Sequence, residues 1–135
     1  MRTANGTADA VSAAKLNNLL LSIQDSNTVV DSLRNTGDIP GNYITKGEAI
    51  SLGWKQGKAI GNYLKEGQIG GDVFLNRSGV LPSSEGRVWY EADIVLKNNI
   101  SRSNQAGTRL LYSNDGQLYI TQDHYKTVHY LGTWK

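Results

Sequence analysis

The chain has no cysteine, two prolines, one methionine, one phenylalanine and two histidines in 135 residues. The missing cysteines exclude disulfides, thiolate zinc sites and a cysteine nucleophile, and they leave the redox compartment open. No apolar run nears the ~20 residues that a bilayer-spanning helix needs, so no membrane insertion is expected. MRTANGTADAVSAAK carries no apolar h-region behind its arginine, so no signal peptide is expected here, and Met1 reads as a start codon added to an excised fragment. Charge of one sign is also scarce, with a net of +2. Residues 41–135 hold eleven Lys or Arg against eight Asp or Glu, a mild basic bias that suits a polyanionic partner without proving one.

What is present suits a globular domain. Hydrophobic residues make up 39% and charged ones 19%, which argues against disorder. The length fits one domain with one modest core, or a domain and an appendage. Residues 8–24, rich in Ala and Leu and free of Gly and Pro, predict a helix. Ser26 and Asn27 are expected to interrupt it and cap a second, shorter helix, TVVDSLRN, which Gly37 and Pro40 end. Thr45-Lys46-Gly47-Glu48 fits a capping box, so a helix should run from about 46 to 52, with a further turn or two in AIGNYL, 59–64.

From Gly67 the pattern changes to strands. QIGGDVF, RVWYEADIVL, TRLLYS, QLYITQ and TVHYL are β-branched or aromatic and are separated by turn signals such as Asn114-Asp115-Gly116. The expected fold class is α+β, with N-terminal helices packed on one face of a C-terminal antiparallel sheet. Alternation puts Ile94, Leu110 and Leu118 under the helices and sends Glu91, Asp93 and Arg109 to the opposite face. Each of these charges alone would ordinarily be solvated surface. Two acids and an arginine on adjacent strands, with His124 at the end of the next, form equipment for acid–base work on a phosphodiester.

Five stretches then resemble one family: NYITKGEAISLGW (42–54), IGGDVFLNRSGVLP (69–82), GRVWYEADI (86–94), RLLYS (109–113) and DHY (123–125). They resemble the bacterial guanyl-type ribonucleases from about Asn27 to Tyr130, with a deletion near 55–66 and an insertion at 103–108. The resemblance implies the microbial ribonuclease fold, with residues 1–26 as a helical extension and 27–135 as the ribonuclease domain. It implies Glu91 as general base, His124 as general acid, Arg109 and Lys46 as phosphate-side cations, and Arg102 as a second arginine. It implies Phe74, Asn76 and Arg77 as the base-recognition loop and Tyr125 as an aromatic lining the site. Arg87, Asp93 and Asp115 match structural salt bridges. The pattern departs at Ser78, where the family carries a glutamate that accepts two hydrogen bonds from guanine. A hydroxyl cannot make that paired, charge-assisted contact, so base preference stays open.

The implied chemistry needs no cofactor and no metal. RNA brings its own nucleophile, the 2′-hydroxyl, and fixed cations stabilise the charge growing on the phosphate. The implied partners are RNA and an acidic inhibitor protein that plugs the site, with the enzyme itself a monomer, secreted or delivered into a target cell. Other signals are weaker. His124 and His129 lack carboxylate companions for zinc. GWKQGK is one residue short of a phosphate loop and lacks the following Ser or Thr. Two function classes remain at this point: a metal-independent endoribonuclease, either an antibacterial toxin domain or an ordinary secreted enzyme, and a catalytically silent RNA-binding module on the same fold. The joint presence of Glu91 and His124 favours the enzyme.

Overall fold

The structure, a computed structural model, describes residues 6–135. One long helix, α1 (Gly6–Thr36), precedes a six-stranded sheet. The expected break at Ser26 does not occur, and the two anticipated helices are one. The Ser26 hydroxyl donates to the Ile23 carbonyl at 2.6 Å and is itself buried, so it back-bonds inside the helix instead of capping a new one. Ser22 does the same to Asn18 at 3.0 Å. The helix stops where expected: the Gly37 amide donates to the Leu33 carbonyl at 2.8 Å, with Gly37 at φ +79°.

The short helix α2 (Lys46–Ser51) starts with the capping box the sequence spells out. The Thr45 hydroxyl accepts from the Glu48 amide at 3.2 Å, and the Glu48 carboxylate accepts from the Thr45 amide at 2.9 Å. AIGNYL yields only a 3-10 turn, Ile60–Asn62. The strands are β1 (Tyr43–Ile44), β2 (Gln68–Phe74), β3 (Trp89–Asp93), β4 (Arg109–Ser113), β5 (Gln117–Thr121) and β6 (His129–Thr133), in that order across the sheet. From β2 to β6 they form an antiparallel meander, as expected. The strand pattern does not foretell β1, a two-residue strand that pairs parallel with β2 and is too short to show alternation. It also extends β3 too far: Val95 sits at φ +64°, which no strand accommodates. The last strand lies two residues later than TVHYL.

The register puts Ala92 opposite Leu110 and Leu110 opposite Ile120, so these side chains share the face covered by α1. There Val29, Val30 and Leu33 pack on Ala92, Ile94, Leu110, Tyr112 and Leu118. Truncating Leu33, 1% exposed, to alanine should cost ~2–5 kcal/mol. Polar clasps fix the helix on the sheet: Asp25 accepts from the Val95 amide at 3.0 Å, and Arg34 donates to the Thr133 carbonyl at 2.8 Å. On the opposite face Glu91 pairs with Leu111, and Asp93 with Arg109. A second core of Leu81, Trp89 and Leu111 fills the Trp89 end of that face, and the Asp93 end is left to charged groups. A third cluster, Ala49, Trp54, Ile60 and Ile69, seats α2.

Candidate active site

The charged end of the open face is organised by one carboxylate. Asp93 is 3% exposed and takes both oxygens to Arg102, at 2.7 Å from Nε and 2.9 Å from Nη2. Arg109, 4% exposed, lies on the next strand with its Nε 3.0 Å from Asp93 Oδ1. That N–H does not point at the oxygen and makes no hydrogen bond, so the contact is electrostatic only. Nη1 of Arg109 donates to the Thr108 carbonyl at 2.9 Å. Burial works against the charge on Arg102, but its hydrogen bonds and charge contact with Asp93 hold it above the ordinary arginine value. Removing Asp93 would strand two guanidinium groups, a loss of ~3–5 kcal/mol for a buried pair.

Glu91 stands two residues back along β3, on the same face as Asp93. Its side chain is 12% exposed, and its Oε1 lies 3.9 Å from Lys46 Nζ. Lys46 reaches it from the first residue of α2, whose amide donates to Asp72 at 2.9 Å. Asp72 belongs to a bulge of β2, where Gly71 adopts φ +96° and the pairing with β3 slips. The bulge therefore sets where α2 begins, and with it the place of the Lys46 ammonium.

Beyond Glu91 a cleft of about 450 Å³ opens, lined by Val73, Phe74, Leu75, Asn76, Arg77, Ser78, Glu91 and Tyr125. Its loop is rigid. Asn76, at φ +54°, accepts from the Leu81 amide at 2.9 Å and donates to the Leu81 carbonyl at 2.8 Å. The Gly79 amide closes the turn onto Asn76 at 3.0 Å, leaving Arg77 and Ser78 exposed at the tip. Tyr125 stacks on Phe74 with ring centroids 4.5 Å apart. Burial, then the charge of Glu91, pushes the Tyr125 phenol well above its usual value, so it stays neutral at physiological pH.

His124 is exposed on the rim, its ring 4.9 Å from that of Tyr125. Its backbone is unusual: His124 and Tyr125 have φ of +55° and +73°. Asp123 holds this turn, accepting from Thr121 Oγ1 at 2.9 Å, the Thr127 amide at 2.9 Å and Thr127 Oγ1 at 2.7 Å. Burial opposes ionisation of Asp123, but these bonds and the Lys126 amide keep its carboxyl below the usual range. The His124 amide donates to the Gly107 carbonyl at 3.0 Å, and a Cβ on Gly107 would come within 2.6 Å of His124 Cβ. Asp72, Asp123 and Gly107 are supports that the sequence pattern alone does not single out. The spacing Thr-x-Asp-x-x-x-Thr at 121–127 was the available signal for Asp123.

The structure thus gathers Lys46, Glu91, Arg102 and Arg109 around one carboxylate-lined floor. Phe74, Asn76, Arg77, Ser78 and Tyr125 line the adjoining cleft, with His124 at its edge. Of the three residues matched to structural salt bridges, Asp93 pairs with Arg102 and Arg109 on this floor, while Arg87 and Asp115 pair with each other away from it, Nη2 to Oδ2 at 2.9 Å.

Comparison with known proteins agrees with this architecture. A ribonuclease family model matches residues 26–130. A ribonuclease of Heyndrickxia coagulans is 48% identical over 100 residues, covering 73% of this chain and 88% of that protein. Ribonucleases of Bacillus intermedius and Bacillus pumilus are each 48% identical over 100 residues, and the match spans 59% of their lengths. A family match over most of the chain and near-half identity to these enzymes show that it belongs to the bacterial guanyl-type ribonuclease family and is an endoribonuclease acting on RNA.

Proposed function

We propose that the chain cuts single-stranded RNA without a metal ion, by transphosphorylation. In this reading Glu91 takes the proton from the 2′-hydroxyl, whose oxygen attacks the adjacent phosphorus. The bond from phosphorus to the 5′-oxygen breaks, and His124 gives that oxygen a proton. The products are a 2′,3′-cyclic phosphate and a free 5′-hydroxyl; water then opens the cycle with the two roles reversed. Lys46, Arg102 and Arg109 stabilise charge on the phosphate oxygens, each such contact supplying ~3–4 kcal/mol in favourable cases. The observation that carries the reading is Glu91, with Lys46 Nζ at 3.9 Å, standing between the base-sized cleft and the Asp93–arginine cluster. A silent RNA-binding module would not need Glu91 beside a cation.

In the cleft, Phe74 and Tyr125, stacked on each other, would offer one aromatic wall to a base while the loop of Asn76, Arg77 and Ser78 faces its edge. Among the described residues Glu91 is the only carboxylate in the lining, so base reading falls to backbone amides, the Arg77 guanidinium and the Ser78 hydroxyl. Residues 27–135 would form the enzyme, with 1–26 a helical extension left from a larger antibacterial toxin that is secreted or delivered into target cells. An acidic inhibitor presenting carboxylates to Lys46, Arg77, Arg102 and Arg109 would then protect the producer, and the free enzyme would be a monomer. Incubation with total RNA and with an all-deoxy strand, both in EDTA, tests the mechanism on one gel. RNA alone should be degraded. Cleavage of DNA, or activity abolished by the chelator, would remove the 2′-hydroxyl mechanism.

A further inference from the structure

Past the C-terminal end of α1 the covered face of the sheet carries a pocket that the catalytic floor does not use. Tyr90 on β3 and Tyr112 on β4 alternate with Glu91 and Leu111, so their side chains lie on the α1 face, across the sheet from Glu91. They stack with ring centroids 5.5 Å apart, which closes the space between them and leaves one aromatic wall. Trp134 adds to that wall. Its indole N–H donates to the Ser113 carbonyl at 2.9 Å and its amide to the Gly116 carbonyl at 2.8 Å, so the ring is held in place by the fold itself. With Asp38, Ile39 and Asn114 these residues line a pocket of about 360 Å³, inside the ~300–1,000 Å³ range of small-molecule sites.

The rim is negative. Gly37 and Asp38 follow the last turn of the 31-residue α1, where the helix dipole presents its negative end. Arg34 in that turn is held on the Thr133 carbonyl at 2.8 Å and does not line the pocket. Asp38 is exposed but its backbone is pinned: the Ser32 hydroxyl donates to its carbonyl at 2.7 Å, and its amide donates to Thr36 Oγ1 at 3.1 Å. Its carboxylate has no ion-pair partner among the described residues. Burial, then the charge of Asp38, pushes the Tyr112 phenol well above its usual value, so the wall stays neutral beside the acid. One cation of the chain already uses this edge. The Lys135 ammonium lies 5.7 Å from the Trp134 ring centroid and donates to the Asn114 carbonyl at 3.1 Å.

We propose that this pocket is a binding site for an organic cation with a planar guanidinium group. Such a group is weakly hydrated, lays its face on an aromatic wall, and directs its N–H donors to a carboxylate or carbonyl at its edge. A compact ammonium meets the same charges, but it makes no planar stack and costs more to desolvate, so it should bind less well. The negative rim opposes a phosphate, which excludes a nucleotide or the RNA chain as the occupant. Lys135 acts as a weak internal competitor, since its ammonium repels a second cation brought to the same ring.

The test is titration of the full chain with N-acetylarginine amide, followed through the indole N–H of Trp134 in proton–nitrogen correlation spectra. Trp54 and Trp89 lie outside the pocket and serve as controls. The Trp134 signal should shift and saturate at about millimolar probe, with the other two unmoved. N-acetylcitrulline amide, of the same shape without the charge, should bind roughly tenfold more weakly. Asp38→Asn should weaken binding of the arginine probe roughly two- to fivefold, and Lys135→Ala should tighten it by about as much. Both side chains are exposed, so neither substitution threatens the fold. The site is overturned by the lack of a saturable shift, by equal binding of the citrulline probe, or by indifference to Asp38→Asn. Preferential binding of guanosine monophosphate at Trp134 would overturn it as well. A pentapeptide with one central arginine separates the two sources of the group. Tighter binding than the amide assigns the pocket to an arginine of a protein partner, and equal binding assigns it to a free guanidinium compound.

Discussion

Replacing Gly107 with alanine should disable His124 without touching it. The added methyl would stand 2.6 Å from His124 Cβ, 2.9 Å from its Cα and 2.9 Å from its amide nitrogen, where ordinary contacts begin at 3.4 Å. Two of these three neighbours are backbone atoms, so no rotamer change relieves the clash. The turn has to retreat by ~1 Å, and displacements of that size cost on the order of 10²-fold in well-positioned catalysis. Overpacking adds a stability loss of ~1–3 kcal/mol. The assay compares turnover of a dinucleotide, which loses a poor alkoxide leaving group, with that of a nucleotide aryl ester, whose phenolate leaves without help. If His124 is the acid, Gly107→Ala should lower the first far more than the second.

The background variant sharpens the argument. His124→Ala keeps Cβ, Cα and the amide, so Gly107→Ala should destabilise that protein as much as the native one. It should have little further effect on activity, because the group it displaces is gone. Additive stability with non-additive turnover is the signature of a residue acting through its neighbour. Full activity in Gly107→Ala, or an equal activity loss with and without the imidazole, would refute the reasoning.

Glu91→Ala and His124→Ala should each leave the fold intact and lower turnover by ~10²–10⁴-fold, checked by kinetics beside thermal unfolding. Ser78→Glu should sharpen cleavage after guanosine when cut sites are mapped on a mixed-sequence RNA, because a carboxylate can accept paired hydrogen bonds from that base; an unchanged map would mean the loop reads bases another way. Asp123 has a folded-state pKa depressed by its hydrogen bonds, so its contribution to the His124 turn is present above the unfolded value of about 3.9 and is lost as pH falls through the folded value. Amide exchange at Tyr125 and Thr127, whose amides end on Thr121 Oγ1 and Asp123, should accordingly accelerate below about pH 4, after correction for intrinsic rates, and not on going from pH 5 to 8.

The elements that the sequence displayed are those whose physics is local. The capping box at Thr45 and the alternation in WYEAD each need only a few adjacent residues, and both appear in the structure as read. The face assignment followed from period two alone, which is why Glu91, Asp93 and Arg109 were separable from Ala92 and Leu110 before any contact was known. The failures are nonlocal. Ser26 could cap or back-bond, and burial decided between them. β1 exists because the Gln68 amide finds the Asn42 carbonyl across the fold, and nothing in Tyr43-Ile44 announces that. Gly107 looks like any loop glycine until His124 is set against it.

The β3–β4 connection shows why the site's supports were less legible than its reacting groups. Over a dozen residues it carries Arg102 to Asp93, clasps Gly57 through Ser103, and offers the Gly107 carbonyl to the His124 amide. None of these contacts has a period or a motif, because each is a meeting with a residue far along the chain. The acid, base and cations had to be residue types with the right chemistry, and only two histidines were available to choose from. Any of several small or polar side chains could have served as braces. Geometry selected among them, so that one segment can fix the arginine, the histidine turn and the turn at Gly57 in a single frame.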